Sequence, residues 1–340
     1  MISSAFRPQR WALSLVAAGL LAVNGLAWAQ SSSAAPGAGA ANFPSKPMRL
    51  IVSYPPGGTA DLLSRAIGEG LSKSLSQSVV IENRPGANGN VGADIVAKAP
   101  PDGHTLVMTA PGPLAVNESL YPQLPFDPKT AFAPITRVAI APLVLVVSKN
   151  LPANTLGELL AYVKANPAKA TYASQGNASS GHLAMELLKA RTGMEAVHTP
   201  YKGSAPALND VLAGHVLMMF DNTTSSLPHV RSGALKAIAV AELKRLSVAP
   251  EIPTVAEQGV PGFEATPWFG LVTTAGTPTA VVNKLNTAIR EVMRGSALQA
   301  RFAQMAVEIT GDSPAEFSAY IEAESRKWKD VVRRSGAKAD

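Results

Sequence analysis

The stretch MRLIVSYPPGGTADLLSR, Met48 to Arg65, decides how the chain is read. A strand-like run, Arg49 to Tyr54, meets two prolines and two glycines, and a helical pattern starts at once. Pro55 and Pro56 fix the backbone where the strand ends. Gly57 and Gly58 carry no Cβ, so the chain turns sharply and another molecule can approach its main chain closely. The helix that follows offers unpaired N–H groups and the positive end of its dipole. Strand, glycine turn and helix start together make an anion cradle. The plainer alternative is a tight turn with no ligand. Asp61 either offsets the helix dipole from the first turn, an effect of ~0.3–1 kcal/mol, or binds a ligand donor group.

A second junction of this kind is TYASQGNASSGHLAMELL. The strand ends near Ser174, and Gly176, Asn177, Ser179, Ser180 and Gly181 precede a helix running through Leu188. Serine hydroxyls and exposed N–H groups again converge, with N-capping by Ser179 or Ser180 as the alternative reading of those two residues. Neither loop contains Arg or Lys. An anion there is held by backbone donors, hydroxyls and water. In HTPYKGSAPALNDVLAG, Tyr201 ends a strand and Ser204 caps a helix, while Lys202 either lends positive charge to a ligand or, as expected, faces solvent. In MMFDN, Asp221 ends a strand and either meets a ligand hydroxyl or amine or caps the segment from Thr223.

Around these junctions the chain alternates short apolar runs with amphipathic segments. Strands are predicted over Met48–Tyr54, Ser78–Asn83, His104–Thr109, Pro142–Lys149, Ala170–Ser174, Ala196–Tyr201, Val216–Asn222 and Leu235–Ala241. Helices are predicted over Thr59–Ser76, Thr155–Ala165, Ser180–Thr192, Ser204–Ala213, Pro278–Arg294 and Ser313–Arg334. Thr155 with Glu158, and Ser313 with Glu316, fit capping boxes. Such alternation predicts an α/β fold with mostly parallel sheets flanked by helices. At 340 residues the chain exceeds one ordinary core, so two lobes are expected. FAPITRVAIAPLVLVVSK and GFEATPWFGLVTTAG look like crossings between them. Two crossings make the first lobe discontinuous, with residues 46–142 and 266–340 in lobe 1 and 143–265 in lobe 2.

The first residues read as an export signal. Arg7 and Arg10 precede an apolar run from Trp11 to Val23, and Ala27-Trp28-Ala29 supplies small residues at the cleavage positions. Asn24 and Gly25 interrupt the run too early for a membrane anchor. Cleavage is expected near Ala29, followed by a flexible segment over 30–45 and a periplasmic location. The chain has no cysteine, which excludes disulfides, thiolate chemistry and cysteine-bound metal. Its net charge of +6 falls to +4 without Arg7 and Arg10, and the basic residues are scattered. The basic group Arg326 to Arg334 alternates with Glu322, Glu324 and Asp330, as a solvated helix face does. Nucleic-acid binding is not expected, because a basic stripe with stacking aromatics is missing.

Enzyme readings find little support. A Gly-x-Ser-x-Gly elbow and a Walker loop are both missing from the sequence. GANGNVGAD spaces its glycines, 86, 89 and 92, as Gly-x-x-Gly-x-x-Gly rather than as a dinucleotide fingerprint, and Gly86 and Gly89 read as a turn. His182 and Glu186 share a helix face, but the remaining ligands of a metal site are lacking. A serine nucleophile at 179 or 180 with His182 would rarely align from one helix start. Neither cofactor nor metal is expected.

The blocks SYPPGGTADLLSR, VIENRPGANGNVGADIVAKAPPDGHTL, YPQLPFDPKTAFAPITRVA, YASQGNASSGHLAMELL, PYKGSAPALNDVLAG and IPTVAEQGVPGFEATPWFGL carry a resemblance. From Pro44 to about Arg334 the chain resembles the periplasmic solute-binding proteins of tripartite tricarboxylate transporters, the Bug or TctC type. The resemblance implies a two-lobed, Venus-flytrap-like binding protein without catalysis that captures a small organic acid for an integral-membrane permease. A monomer is expected, since one ligand per monomer needs no partner subunit. The implied ligand residues are Tyr54, Pro56, Gly57, Gly58, Thr59 and Asp61 in the first loop and Ser174, Gly176, Asn177, Ser179 and Ser180 in the second; Tyr201 and Asp221, read from their own junctions, are further candidates. The family often has phenylalanine where Tyr54 stands, and an acid near Leu217 that is absent here. Sensing through a membrane receptor would need the same cleft and is the alternative role.

Overall fold

A computed structural model describes residues 42–335. The export signal and most of the flexible segment expected before lobe 1, together with residues 336–340, lie outside the described residues. The first half of the described chain runs β1 (Met48–Val52), α1 (Thr59–Ser74), β2 (Val79–Asn83), α2 (Asn90–Ala97), β3 (Thr105–Thr109), α3 (Asn117–Leu120), β4 (Phe132–Ile140) and β5 (Leu143–Ser148). It continues through α4 (Leu156–Ala165), β6 (Thr171–Ser174), α5 (Ser180–Thr192), β7 (Val197–Pro200), α6 (Ser204–Ala213), β8 (Met218–Asn222), α7 (Thr223–Arg231) and β9 (Leu235–Val240). The last elements are β10 (Trp268–Thr274), α8 (Thr279–Met293), α9 (Ser296–Ala303), β11 (Glu308–Ile309) and α10 (Pro314–Ser335).

The strands form two sheets, ordered β11-β4-β10-β3-β1-β2 and β7-β6-β8-β5-β9. Alternation along each strand explains why both are covered on two faces. In the first sheet Leu50 and Val52 point to a core shared with Leu63, Ile67 and Leu71 of α1 and Leu285 and Ile289 of α8. Ile51, one residue out of phase, joins Val96 of α2 and Phe317 and Trp328 of α10 on the other side. In the second sheet Leu145 and Phe220 pack with Leu159 of α4 and Leu188 of α5. Val146 and Met219 face Leu208 and Val211 of α6 and Leu227 of α7. Each fully buried Leu or Ile of these layers contributes roughly 1.5–3 kcal/mol by leaving water.

The sheets are mixed, which corrects the expectation of mostly parallel pairing. β1 is parallel to β2 and β3, and β6 to β7 and β8. β10 runs antiparallel to β3 and β4, and β5 antiparallel to β8 and β9. The reversed strands are those in the two segments read as crossings. Each crossing delivers the chain to the next sheet at the end where most of that sheet's other strands finish, so β5 and β10 run against their neighbours. Pro134 sits inside β4 because the β4–β10 ladder slips register between Leu271 and Val272, beside its pairing partner. At the second crossing the Ala141 N–H donates to Pro267 O at 3.0 Å. One of the two capping boxes closes fully, with Ser313 and Glu316 exchanging bonds through Ser313 Oγ and Glu316 Oε2; at the other, Thr155 Oγ1 accepts the Glu158 N–H while the Glu158 carboxylate takes the N–H of Asn154, one residue early.

Candidate functional site

The first loop is held from beneath by Asp61. Gly57 adopts φ +82°, a left-handed turn that glycine tolerates, and a Cβ there would meet nothing within 4 Å. Gly58 is the residue before α1, extended at φ −81°, ψ 172°, and its carbonyl accepts the Leu62 N–H. Asp61 is 3% exposed. Its carboxylate accepts the Gly57 N–H at 3.0 Å, Asn83 Nδ2 at 3.0 Å and Arg65 Nε at 3.0 Å. Asn83 Nδ2 also donates to Tyr54 O, tying β2 to the start of the loop. Burial works to raise the Asp61 pKa, but Arg65, the Gly57 amide and Asn83 outweigh it and hold the carboxyl below its usual range. The carboxylate that the sequence offered to a ligand donor is thus engaged inside its own lobe. Tyr54 is half-buried, and burial pushes its hydroxyl up to about 12, so the phenol stays protonated. Its ring lies against Gly89, where an added Cβ would stand 3.0 Å from the Tyr54 hydroxyl.

The second loop hangs on neutral side chains. Ser174, fully buried at the end of β6, shares a 2.7 Å hydrogen bond with His198 Nε2 on β7 and donates to Gly176 O at 2.9 Å. Gly176 takes φ +140°. Ser179 is the N-cap of α5: its Oγ accepts the His182 N–H at 3.3 Å and donates to Gln175 Oε1 at 3.1 Å. Gln175 Nε2 in turn donates to Asp221 Oδ1 at 2.8 Å, and Ser204 Oγ donates to the same oxygen at 2.6 Å. Asp221 is wholly buried, and this burial pushes its carboxyl up to about 6 despite those bonds. Asp221 therefore reaches the loop through Gln175. Tyr201, half-buried, donates from its hydroxyl to Asp210 Oδ2 at 2.5 Å, and its N–H donates to Ser174 O. Asn177 and Ser180 are half-buried in the loop and at the start of α5, and Lys202 is exposed as expected.

These parts come together across the two sheets. Thr59 Oγ1, at the start of α1, lies 2.6 Å from Thr224 Oγ1, at the start of α7. A Cβ added at Gly203, just before α6, would stand 3.2 Å from Pro55 Cγ. The Gly203 N–H donates to Gln175 O, which sets α6 beside the second loop. The starts of α1, α5, α6 and α7 thus surround one place at the strand ends, where open α/β sheets bind ligands. At the rim of that place Asn222 Oδ1 and Thr223 Oγ1 are buried without a hydrogen-bond partner among the described residues.

Three features escaped the sequence. His182 and His198 stack with ring centroids 4.0 Å apart beneath the second loop, and Tyr172 stacks on His198 at 4.8 Å. His182 Nδ1 accepts the Ala178 N–H at 2.9 Å, so its ring supports the loop rather than Ser179 or Ser180. Helix α7 went unread because its Pro228 and run of small polar residues break the helical pattern. Among the described residues no group of three or more His, Asp or Glu side chains is placed to hold a metal, and no helix is long and apolar enough to cross a membrane.

Comparison with known proteins follows the same geometry. Residues 63–337 match the profile of TctC, the tripartite tricarboxylate transporter family receptor. Protein BugT of Bordetella pertussis is 38% identical over 320 residues, covering 94% of this chain and 98% of the relative. The solved structure of R. palustris Rpa4515 with adipate is similar with a TM-score of 0.84 and 37% identity, covering 87% of this chain and 99% of that one. The structure of MatC from Rhodopseudomonas palustris with bound malate gives a TM-score of 0.81 at 31% identity, covering 85% and 100%.

Proposed function

The chain belongs to the TctC family of tripartite tricarboxylate transporter receptors, and from that premise we propose that it captures a small carboxylate-bearing organic acid and delivers it to a membrane transporter. The observation that carries this reading is the meeting of helix starts across the two sheets, marked by the 2.6 Å contact between Thr59 and Thr224. Amides at those starts are oriented before an anion arrives, so binding it requires little reorganisation. The two loops carry no Arg or Lys toward the guest apart from exposed Lys202 beyond them. Recognition rests on the main-chain donors at the helix starts, Gly58 and Thr59 in the first loop and Ser180 in the second, because the N–H groups of Gly57, Gly176, Ala178 and Ser179 already hold the loops' own shape; Tyr54, Pro56, Asn177, Ser174 and Tyr201 shape the walls. Asp61 and Asp221 serve the site by holding those loops in place. Asn222 Oδ1 and Thr223 Oγ1, buried and without protein partners among the described residues, fit a polar guest or its water. Nothing in this mechanism calls for a nucleophile or a cofactor.

Residues 46–142 with 266–340 move as one lobe and 143–265 as the other, hinging where β4 passes to β5 and where the chain returns to β10. Residues 1–29 direct export and are removed, and the mature protein works in the periplasm as a monomer. Thermal melting against di- and tricarboxylates, aromatic acids, amino acids and neutral sugars tests the reading. An acid present at 100 times its Kd adds about 2.7 kcal/mol of stability. Stabilisation by a sugar or an amine, with every acid inert, would overturn it. The carboxylate-bound relatives, one with adipate and one with malate, set the first compounds to try.

A further inference from the structure

The segment GANGNVG, set aside above as a turn, carries an unusual backbone. Ala87, Asn88 and Gly89 have φ of +44°, +48° and +91° in succession. Non-glycine residues in this region are strained by about 1–3 kcal/mol each and persist where surrounding contacts over-determine them. Here the contacts are explicit. Asn117 Nδ2, buried in α3, donates to Asn90 Oδ1 at 2.7 Å and to Asn88 O at 3.3 Å. Asn88 Nδ2 donates back to Asn117 Oδ1 at 2.9 Å. Gly112 closes over the group, so that a Cβ there would stand 2.7 Å from Asn88 O and 2.8 Å from Asn88 Nδ2.

The same Asn88 Nδ2 has a second acceptor, Ala178 O, at 2.8 Å. Ala178 belongs to the second loop and is itself left-handed at φ +62°, with its N–H taken by His182 Nδ1. This bond joins residues 90 apart in sequence, one beside the first sheet and one on the loop that leaves the second. Ala178 and Leu183 pack in one cluster with Leu114 and Ala115 of the first lobe, so the contact lies against a dry seam. Among the described residues the other side-chain bonds of Asn88, Asn90 and Asn117 stay within the first lobe.

We propose that Asn88 is a positioning residue: a prearranged donor in the first lobe that fastens the second-lobe loop when the lobes close. The inference rests on the two-lobed receptor reading of the preceding subsection. Because Asn117 keeps the Asn88 carboxamide oriented in either state, closure gains a hydrogen bond with little loss of side-chain freedom. Opening the lobes breaks only the bond to Ala178. Asn88 thereby biases the protein toward the closed form without touching the guest, and a ligand that needs that form binds more tightly by the same factor.

The cysteine-free chain allows a direct test. Lys73→Cys on α1 and Lys164→Cys on α4, both at exposed positions, take a donor and an acceptor dye. Single-molecule energy transfer in the ligand-free protein then reads open and closed populations. Asn88→Gly keeps the positive-φ backbone and removes the donor. Asn88→Asp keeps the shape and puts a carboxylate against the Ala178 carbonyl. Losing one neutral hydrogen bond lowers the closed-to-open ratio roughly two- to tenfold. Asn88→Gly is expected to fall in that range and Asn88→Asp to fall at least as far, with far-UV spectra unchanged. Distributions identical to the parent in both variants, or a shift in Asn88→Gly that Asn88→Asp does not share, would overturn the proposal. The readout needs no ligand, so failure of the acid screen leaves this inference standing, and its failure leaves acid capture standing.

Discussion

The loop after β1 and the loop after β6 present the same geometry and are braced by opposite electrostatics. Beneath the first, Asp61 is an ionised acid paired with Arg65, with its pKa held down. Beneath the second, Asp221 has neutral partners, Gln175 and Ser204, and burial drives its pKa up to about 6. The first loop is therefore pinned by a full charge at every pH near neutrality. The second stands over an acid that resists ionising. An anion arriving between them meets a neutralised pair on one side and, above about pH 6, an ionised carboxylate held by neutral donors on the other, so repulsion comes from beneath the second loop and eases as pH falls.

The largest expected effect comes from removing the charged brace. Asp61→Ala leaves the Gly57 N–H without its acceptor, leaves Asn83 Nδ2 with only Tyr54 O, and leaves Arg65 without its carboxylate partner. Arg65 is about half exposed and regains water, so the loss stays below that of a fully buried pair. We expect about 3 kcal/mol from urea unfolding at neutral pH, and weaker acid binding in parallel. Asp61→Asn, which keeps an acceptor for Gly57, should recover part of the stability. A change within about 0.5 kcal/mol, the range of ordinary surface substitutions, would show that the first loop needs no charge beneath it.

The second effect separates the two loops by pH. Asp221 has an ordinary value of 3.8 and a folded value of about 6. Between these the folded chain binds a proton that the unfolded chain does not. Its contribution to stability therefore grows as pH falls from about 6 toward 4, and is lost as pH rises through 6. Asp61 has the reverse sign: its contribution is present above the ordinary value and is lost as pH falls through its lowered folded value. The stability of the parent minus that of Asp221→Asn should rise by about 2 kcal/mol between pH 7.5 and 4.5. The same difference taken against Asp61→Ala should decline at the acid end. Parallel slopes for both variants would erase the electrostatic contrast.

The contrast was only partly legible in the sequence. Both loops could be found, because strand, glycine and helix start leave a local mark. The predicted starts of α1, α5 and α6 coincide with the observed ones at Thr59, Ser180 and Ser204. The braces could not be found. Asn83 reaches Asp61 across 22 residues, and Gln175 reaches Asp221 across 46, so no spacing in the chain announces them. The mixed sheets were missed for a related reason. Strand direction depends on which sheet a segment joins, and the apolar runs of β4 and β10 read equally well as strands or as linkers. The Asn88 turn was seen as glycine spacing, while its function depends on Asn117 and Ala178, 29 and 90 residues away.

The smallest effect probes whether the second loop's neutral web behaves as one unit. Ser179→Ala removes the N-cap of α5, a change worth about 1 kcal/mol where the cap acts alone. Ser179 Oγ is also the donor that orients Gln175, and Gln175 carries the web to Asp221. If the web is coupled, the double variant Ser179→Ala with Asp221→Ala loses less than the sum of the two single losses, because either one already loosens Gln175. If the losses add within about 0.3–0.5 kcal/mol, Ser179 is only a cap and the loop is held by Ser174 and His198 instead. The first loop provides the reference for this measurement, since one carboxylate there joins its partners directly and no relay residue stands between them.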